Sequence, residues 1–211
     1  MARTADDFIF FWKPEQLHGW ASQWYKSPFT ARITLPDGKE HDVTFPTAEH
    51  WMMGQKALLF GDQKIFERIT KSTVTAPRVP GPKEVKALGR KVGNFEEETW
   101  ARERARIVRE GLLHKFRQNP ELRALLLATG EREIVEASHM DRVWGVGYGA
   151  KRAGEMCVSE EGRALWGANL LGRALEEVRR ILRGEEEGRG GGTGRTRAED
   201  GGGAPGKSRG K

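Results

Sequence analysis

The segment from Phe45 to Lys56, FPTAEHWMMGQK, constrains the fold more than any other part of the chain. Thr47 follows a proline and is a favourable N-cap, which predicts a helix over about residues 48–60. The apolar residues of this helix cover most of its circumference: Trp51, Met52, Met53, Leu58, Leu59 and Phe60. A helix that is apolar on most sides is typical of a buried element, so we expect the rest of the chain to pack around it.

Two charged residues, Glu49 and Lys56, lie in the same helix. Seven residues advance a helix by about two turns, so both side chains project from nearly one stripe, with Met52 and Met53 between them. An ordinary ion pair on a helix surface is one interpretation, because such pairs are common and weak. The other is a functional site, since charges on a buried helix need partners or shifted pKa values. This segment alone leaves both interpretations open.

The remaining pattern predicts an α+β fold in which helices outnumber strands. Strands are predicted at residues 8–12, in a hairpin around Pro36-Asp37-Gly38, and at residues 132–138. Beyond the first helix, apolar periodicity predicts helices at residues 63–70, 83–92, 96–116, 121–130 and 168–183. These elements make up one domain over residues 8–183, after a flexible N-terminus at residues 1–7.

Composition changes at residue 184. From there on the chain is rich in glycine and has no aliphatic or aromatic residue larger than alanine, which predicts a disordered tail over residues 184–211. The formal net charge is +6, and the six basic and five acidic residues of the tail nearly balance. Almost all of the net charge therefore belongs to the folded body. A basic body favours a phosphate-bearing partner, either a nucleotide or a nucleic acid.

Several classes of protein are disfavoured by what the sequence contains. The single cysteine, Cys157, rules out an intramolecular disulfide and fits a reducing compartment. No apolar run reaches the length of a membrane span, so we expect a soluble protein of the cytoplasm, with the nucleus as the alternative. The histidines are scattered, and we expect neither a metal site nor a cofactor. Four tryptophans are predicted to be core residues: Trp12, Trp20, Trp24 and Trp100.

A glycine-rich loop, DRVWGVGYG, follows the last predicted strand and begins at Asp141. Its glycines, Gly145 and Gly147 among them, allow close approach of backbone to a ligand, and their amides can face a phosphate. The alternative is a structural turn in which Trp144 fills the core. The loop matches neither the Walker pattern nor GxGxxG before a helix.

In their order along the chain, these motifs resemble the NADAR family, also called the YbiA-like family. The resemblance rests on the aromatic first strand, FPTAEHWMMGQK, LGRKV, Trp100 before LHKFRQNPELRALLLATG, IVEAS with the later D-x-x-W, and WGANLLGRALEEVR. It covers about residues 8–182. It implies a single, mostly helical α+β domain that hydrolyses the N-glycosidic bond of a ribosylated base. Members act on phosphoribosylated intermediates of riboflavin synthesis, releasing ribose 5-phosphate, or on ADP-ribose attached to guanine.

The resemblance also implies site residues. It places the family's acidic residue on Glu49, its lysine on Lys56 and its D-x-x-W on Asp141 and Trp144. A carboxylate, Glu49 in preference to Asp141, would stabilise positive charge at the anomeric carbon and activate a water. Lys56 would either form an imine with the sugar or hold the ribose or phosphate as a cation. The expected substrate-binding residues are Trp100, Trp144, Arg90, Lys151, Gln23, Gly145 and Gly147.

The chain departs from the family pattern in two places. Many members carry Ser-Asn-Phe after the first strand, where this chain has Ser22-Gln23-Trp24, and extra residues around 153–165 precede the last helix.

Two other classes of function stay open. One is a non-catalytic module that binds ADP-ribose or a nucleotide, and the other is a nucleic-acid-associated protein suggested by the basic body.

Overall fold

The computed structural model describes residues 3–35, 38–71 and 80–190 and confirms the α+β class with predominating helices. The helices are α1 (Ala48–Leu59), α2 (Gln63–Lys71), α3 (Pro82–Gly89), α4 (Glu97–Gln118), α5 (Pro120–Leu127), α6 (Ala150–Met156), α7 (Glu160–Ala164) and α8 (Leu170–Gly190). The strands are β1 (Phe8–Phe11), β2 (Phe29–Thr34), β3 (Glu40–Phe45) and β4 (Glu133–Glu136). The extra residues before the last helix form α6 and α7.

The strands pair as two small sheets. β2 and β3 form the predicted antiparallel hairpin, although Pro36 and Asp37 of its turn lie outside the described residues. β1 and β4 are parallel, with Phe8 opposite Glu133 and Phe11 opposite Glu136. Because parallel strands end at the same edge of a sheet, the chain after β1 and the chain after β4 leave the sheet side by side.

Helix α1 is buried at the centre of the domain, as its apolar circumference predicts. Its N-cap is Thr47, whose hydroxyl accepts a hydrogen bond from the backbone N–H of His50. The indole N–H of Trp51 donates to the backbone carbonyl of Ile107 in α4 at 2.7 Å. The Trp51 ring lies against Gly111 of α4, where a Cβ atom would come within 2.3 Å of it. Because Gly111 has no side chain, α1 can pack closely against α4 at this point.

A buried lysine of α4 fixes the segment that follows β1. Lys115 is 0% exposed, and its ammonium group donates to the carbonyls of Trp20 at 2.8 Å and Ser22 at 3.1 Å. Burial lowers the pKa of Lys115 to about 7. These two hydrogen bonds hold the backbone that leads directly into Gln23 and Trp24.

The two longest helices, α4 and α8, pack along each other and carry charged outer faces. Arg109 of α4 forms an ion pair with Glu177 of α8 at 2.8 Å. In the part of the chain that the structure describes, no helix combines the length and the hydropathy that a membrane span needs.

Regular structure extends beyond both ends of the range predicted for the domain. Helix α8 continues through Gly190, past the predicted start of disorder at residue 184, because Glu185 and Glu186 pair with arginines of α4 and α5. At the other end, residues 5–7 form a 3₁₀ turn, and Arg3 pairs with Glu133 at 2.8 Å. The rest of the predicted tail, residues 191–211, lies outside the described residues.

The contact between α1 and α4 yields a first test. We expect Gly111→Ala to destabilise the fold by about 1–3 kcal/mol, because the added methyl group overpacks the Trp51 ring. Gly184→Ala is the matched control, since this exposed glycine of α8 has open space around its Cα. It should stabilise the fold by about 0.5–1 kcal/mol through helix propensity. Urea denaturation of both variants measures the difference, and equal stabilities would contradict the packing described here.

Candidate active site

A cavity of about 830 Å³ opens where the first turn of α1 faces α3 and the chain segments that leave β1 and β4. Among the residues that line it are the carboxyl groups of Glu49, Glu136 and Asp141, and the cations Lys83, Lys86 and Arg90. Three tryptophans also line it: Trp12, Trp24 and Trp144. Carboxylates, cations and aromatic rings therefore meet in one space of the size of a ligand site.

Glu49 is the most buried of the carboxyl groups, with 3% exposure. Its backbone N–H donates to the carbonyl of Gln23 at 3.0 Å, and the side chain of Trp24 donates to its carboxylate. Its Oε1 has no hydrogen-bond partner among the described residues, although this atom is buried. Burial raises the pKa of Glu49 to about 7, opposed chiefly by Lys86 and aided by the charge of Asp141.

Glu136, the last residue of β4, also has a buried oxygen, Oε2, for which the described part of the chain supplies no hydrogen-bond partner. Burial raises the pKa of Glu136 to about 8, and the charges of Asp141 and Glu49 raise it further. Burial therefore favours the protonated form of both carboxyl groups of this cavity near neutral pH. This pairing is typical of sites that need an acid and a base together.

Asp141 has a different environment, because one of its oxygens organises the glycine-rich loop. Its Oδ1 accepts from the backbone N–H groups of Val143 at 2.9 Å and Trp144 at 2.8 Å. The carboxylate therefore fixes the turn that points Trp144 toward the cavity, and its other oxygen adds negative charge beside Glu49 and Glu136.

Helix α3 forms the opposite wall and is tied to α1 by a histidine. The imidazole of His50 lies 2.8 Å from the hydroxyl of Thr47 through Nδ1, and 3.2 Å from the carbonyl of Pro80 through Nε2. Burial lowers the pKa of His50, which favours the neutral ring that bridges the two groups. The cap of α1 and the start of α3 are thereby held together.

Gln23 contributes an unsatisfied amide to the cavity. It is buried, its Nε2 lies 3.3 Å from the sulfur of Met52, and its Oε1 has no hydrogen-bond partner among the described residues. Burying a polar atom without a hydrogen-bond partner costs free energy, so such an atom commonly hydrogen-bonds to a ligand or a water.

Of the residues predicted from the sequence, the structure brings five together in this cavity. They are Glu49, Asp141, Trp144, Arg90 and Gln23. The roles assigned to them in catalysis and substrate binding remain predictions.

Lys56 and Trp100 lie elsewhere. The ammonium group of Lys56 sits 4.1 Å from the ring centre of Phe95 and 5.4 Å from that of Trp100. Burial lowers the pKa of Lys56, and Glu97 opposes this shift. Neither Lys56 nor Trp100 lines the cavity around Glu49. Of the two charged residues of α1, only Glu49 lines this cavity, and the catalytic role of Lys56 stays a prediction.

The packing of α3 explains this separation. Met53 lies between Glu49 and Lys56 along α1, and a Cβ atom on Gly89 would come within 2.0 Å of the Met53 sulfur. Helix α3 thus presses on the middle of α1 and covers the stripe that the two charged residues share. Helical phase places two side chains on one side of a helix, but it does not decide what covers the space between them.

Lys151 lines a second cavity of about 850 Å³ beside β1 and α6 instead of the cavity around Glu49. Its neighbours there include Phe10 and Arg152, and Trp12 lines both cavities. Substrate binding by Lys151 stays a prediction, and Lys151 would have to make that contact from this neighbouring cavity.

Gly145 and Gly147 shape the loop and do not line the cavity. A Cβ atom on Gly145 would come within 2.5 Å of the carbonyl of Glu136, and Gly147 has a positive φ of 79°. Their packing therefore supports a structural role for these glycines in the turn.

Sequence reasoning missed several of the lining residues. Trp12 and Trp24 were expected in the core but line the cavity, whereas Trp20 and Trp100 are core residues as predicted. The sequence pattern places Glu136 only in a strand and Lys83 and Lys86 only in a helix. The spacing of these two lysines with Arg90 is a signal in the sequence that could have identified them. Among the described residues, no group of three or more His, Cys, Asp or Glu side chains could hold a metal ion.

Comparison with known proteins gives a consistent result. A family model described as the NADAR domain matches residues 10–183. The chain is 38% identical over 159 residues to N-glycosidase R617 of Acanthamoeba polyphaga mimivirus, covering 75% of this chain and 84% of that protein. It is 34% identical over 156 residues to N-glycosidase YbiA of Escherichia coli, covering 74% and 79% respectively. The NMR structure of E. coli YbiA matches with a TM-score of 0.61 at 30% identity over 89% of each chain.

A further relative links the same region to a larger protein. The chain is 29% identical over 174 residues to a riboflavin biosynthesis protein of Vibrio vulnificus. The match covers 82% of this chain but only 38% of that protein, so most of the relative has no counterpart here.

The raised pKa of Glu49 predicts a pH-dependent cost to stability. The ordinary pKa of Glu49 is 4.5 and its pKa in the folded chain is about 7. At a pH between these two values, Glu49 is ionised in the unfolded chain but protonated in the folded chain. Stability is therefore expected to fall as pH rises through this window. Glu49→Gln removes the effect and should be more stable than the parent at pH 8, by up to about 3 kcal/mol, but not at pH 4.

Thermal unfolding at several pH values measures this difference. Glu98→Gln is the control, because Glu98 also lies in the first turn of a helix but is exposed. If Glu49→Gln and Glu98→Gln shift the midpoint equally at pH 8, the carboxyl group of Glu49 is not buried as described.

Proposed function

The chain belongs to the NADAR domain family, as its motifs predict, and on that premise we propose that it hydrolyses the N-glycosidic bond of a ribosylated base in the cavity around Glu49. The relatives R617 and YbiA are named N-glycosidases, and this class of enzyme fits the groups that line the cavity. The reaction consumes one water and yields a free base and a reducing sugar.

One observation carries the proposal: the buried Glu49 lines a cavity that also holds Glu136, and its Oε1 has no hydrogen-bond partner in the described part of the chain. Breaking a base–ribose bond develops positive charge at the anomeric carbon. A carboxylate beside that carbon stabilises the charge, and more strongly where water is excluded. The buried position of Glu49 provides such surroundings.

Glu49 and Glu136 divide the proton transfers between them. The bond from the anomeric carbon to the base breaks, and its electron pair passes to the base nitrogen, which takes the proton of Glu136. A water then attacks the anomeric carbon and gives its proton to Glu49. Glu136 is assigned as the donor because burial and the charge of Asp141 favour its protonated form, whereas Lys86 favours the ionised form of Glu49.

Aromatic and amide groups of the cavity suit the rest of the substrate. Trp24 and Trp144 can stack on the departing base or on the ribose face, and Gln23 has an amide oxygen free to accept from a hydroxyl or base N–H. Two substrate classes agree with this arrangement. They are the phosphoribosylated intermediates of riboflavin synthesis, supported by the name of the Vibrio relative, and ADP-ribose attached to guanine.

This mechanism gives Lys56 no part at the anomeric carbon. The competing mechanism, an imine between Lys56 and the sugar, would require the sugar to reach a lysine that packs against Phe95 and Trp100. A covalent adduct that borohydride traps in the parent, and that Lys56→Arg abolishes, would favour that mechanism.

A hydrolysis assay followed by mass spectrometry tests the proposal. The parent, Glu49→Gln, Glu136→Gln and the exposed control Glu98→Gln are each given a phosphoribosylated aminouracil and, separately, guanine-linked ADP-ribose. We expect the parent and Glu98→Gln to cleave at least one substrate. Each of the other two variants should lower kcat by about a hundredfold or more, the usual contribution of a positioned acid or base.

Two results of this assay would contradict the proposal. A parent that binds these compounds without cleaving them would make the protein a binding module for ribosylated ligands. A Glu49→Gln variant as active as the parent would place the chemistry outside this cavity.

A further inference from the structure

Lys115 of α4 is a fully buried lysine that the mechanism above does not use. Its side chain is 0% exposed, and among the described residues no carboxylate forms an ion pair with it. Lysine is almost never fully buried without such a partner, because taking an ammonium group out of water is costly. A methionine would fill a similar volume without that cost. A role beyond packing is therefore expected for this lysine.

The surroundings of the Lys115 ammonium group suit a cation. Besides the two carbonyls that accept from it, the rings of Phe116 and Tyr25 lie with their centres 5.2 Å and 5.7 Å from its Nζ. Carbonyl oxygens and ring faces both carry partial negative charge. Of the two rings only that of Tyr25 can titrate, and no charged group in the described part of the chain acts on Lys115.

The carbonyls to which Lys115 donates, those of Trp20 and Ser22, belong to the segment between β1 and β2. The carbonyl of Ser22 also accepts from the backbone N–H of Tyr25 at 3.2 Å, which closes a turn. The Trp20 ring packs edge-on against that of Phe116, with ring centres 6.1 Å apart. Lys115 and Phe116 therefore determine where this turn lies on α4.

The two residues inside the turn carry this position to the candidate catalytic group. The carbonyl of Gln23 accepts from the backbone N–H of Glu49 at 3.0 Å, and the side chain of Trp24 donates to the Glu49 carboxylate. The turn thus holds Glu49 by both its backbone and its carboxyl group. Lys115 holds the turn from the core and does not itself line the cavity.

We propose that Lys115 is a positioning residue of the candidate active site, which holds Gln23 and Trp24 against Glu49 through the carbonyls of the turn. Its charge contributes because charge-assisted hydrogen bonds are about twice as strong as neutral ones. The neutral amine keeps two N–H groups but loses this assistance. Since burial lowers the pKa of Lys115 to about 7, the turn is held more weakly as the pH rises through neutrality.

The indole N–H of Trp24 reports this position, because its NMR resonance moves when its hydrogen bond to residue 49 changes. Two-dimensional ¹H–¹⁵N spectra from about pH 5 to pH 9 follow this resonance, which Trp24→Phe assigns. The titration is made in Glu49→Gln, where ionisation of residue 49 cannot move the signal. We expect the Trp24 resonance to shift with the same midpoint as the ¹³Cε resonance of Lys115. Adding Lys115→Met to Glu49→Gln should abolish this shift.

The hydrolysis assay measures the consequence for catalysis, which rests on the proposed function. Lys115→Met keeps the length of the side chain and removes its N–H donors. We expect it to lower kcat by about tenfold to a hundredfold, as small displacements of reacting groups do. Leu126→Ala is the control for a general loss of stability, because Leu126 is a core residue of α5 with 0% exposure. It should leave kcat and the Trp24 resonance unchanged at a temperature where it is folded.

The inference is overturned if the Trp24 resonance of Glu49→Gln does not titrate, or titrates with a midpoint other than that of Lys115. These two outcomes decide the matter even if Lys115→Met fails to fold. Parent values of kcat and of the Trp24 resonance in Lys115→Met, or equal changes of both in Leu126→Ala, would also overturn it. A protein that cleaves neither substrate refutes the proposed function, whereas the titration still decides the role of Lys115, so the two claims can fail separately.

Discussion

The burial of one carboxyl group, that of Glu49, is the constraint on which the candidate site depends. Helix α1 is apolar on most sides and is fixed in the core by the packing of Trp51 against Ile107 and Gly111. Glu49 is carried into the interior with it, and only part of its hydrogen-bonding capacity is satisfied there. A fold of marginal stability tolerates such a cost where it serves a function, because reactive groups need surroundings that shift their pKa values.

The surrounding elements supply what this buried carboxyl group needs for chemistry. The parallel pairing of β1 with β4 brings Glu136 and the glycine-rich loop to the same edge as the segment that holds Trp24. Lys115 fixes that segment by its hydrogen bonds to two carbonyls, and His50 connects the start of α1 to the start of α3. Carboxyl groups, cations and aromatic rings thereby line one cavity.

Much of the fold follows from local patterns in the sequence. The Thr47 cap, the hairpin and the long amphipathic helices depend on neighbouring residues, and each is predicted at nearly its observed position. The helical end at Gly190 is different, because it depends on ion pairs between Glu185 and Glu186 and arginines far away in the sequence. A glycine-rich composition predicts disorder only where no such partner exists.

The candidate site is less predictable because it is made by packing between elements. Helical phase relates Glu49 to Lys56, but only Glu49 lines the cavity, and Gly89 of α3 packs against Met53 between them. Glu136 acquires its raised pKa only in the folded chain, through burial and the charge of Asp141. The exposure of Trp24 likewise depends on where Lys115 holds the preceding backbone. In each case the deciding contact joins residues that are distant in sequence.

The most direct measurement is a crystal structure of the Glu49→Gln variant with an uncleaved ribosylated base bound. The account predicts that the anomeric carbon lies within about 3.5 Å of the side chain of residue 49, the distance typical of groups poised to react. The base should contact Trp24 or Trp144, and the phosphate should face α3. A sugar bound beside Lys56 and Trp100, or in the second cavity near Lys151, would contradict it.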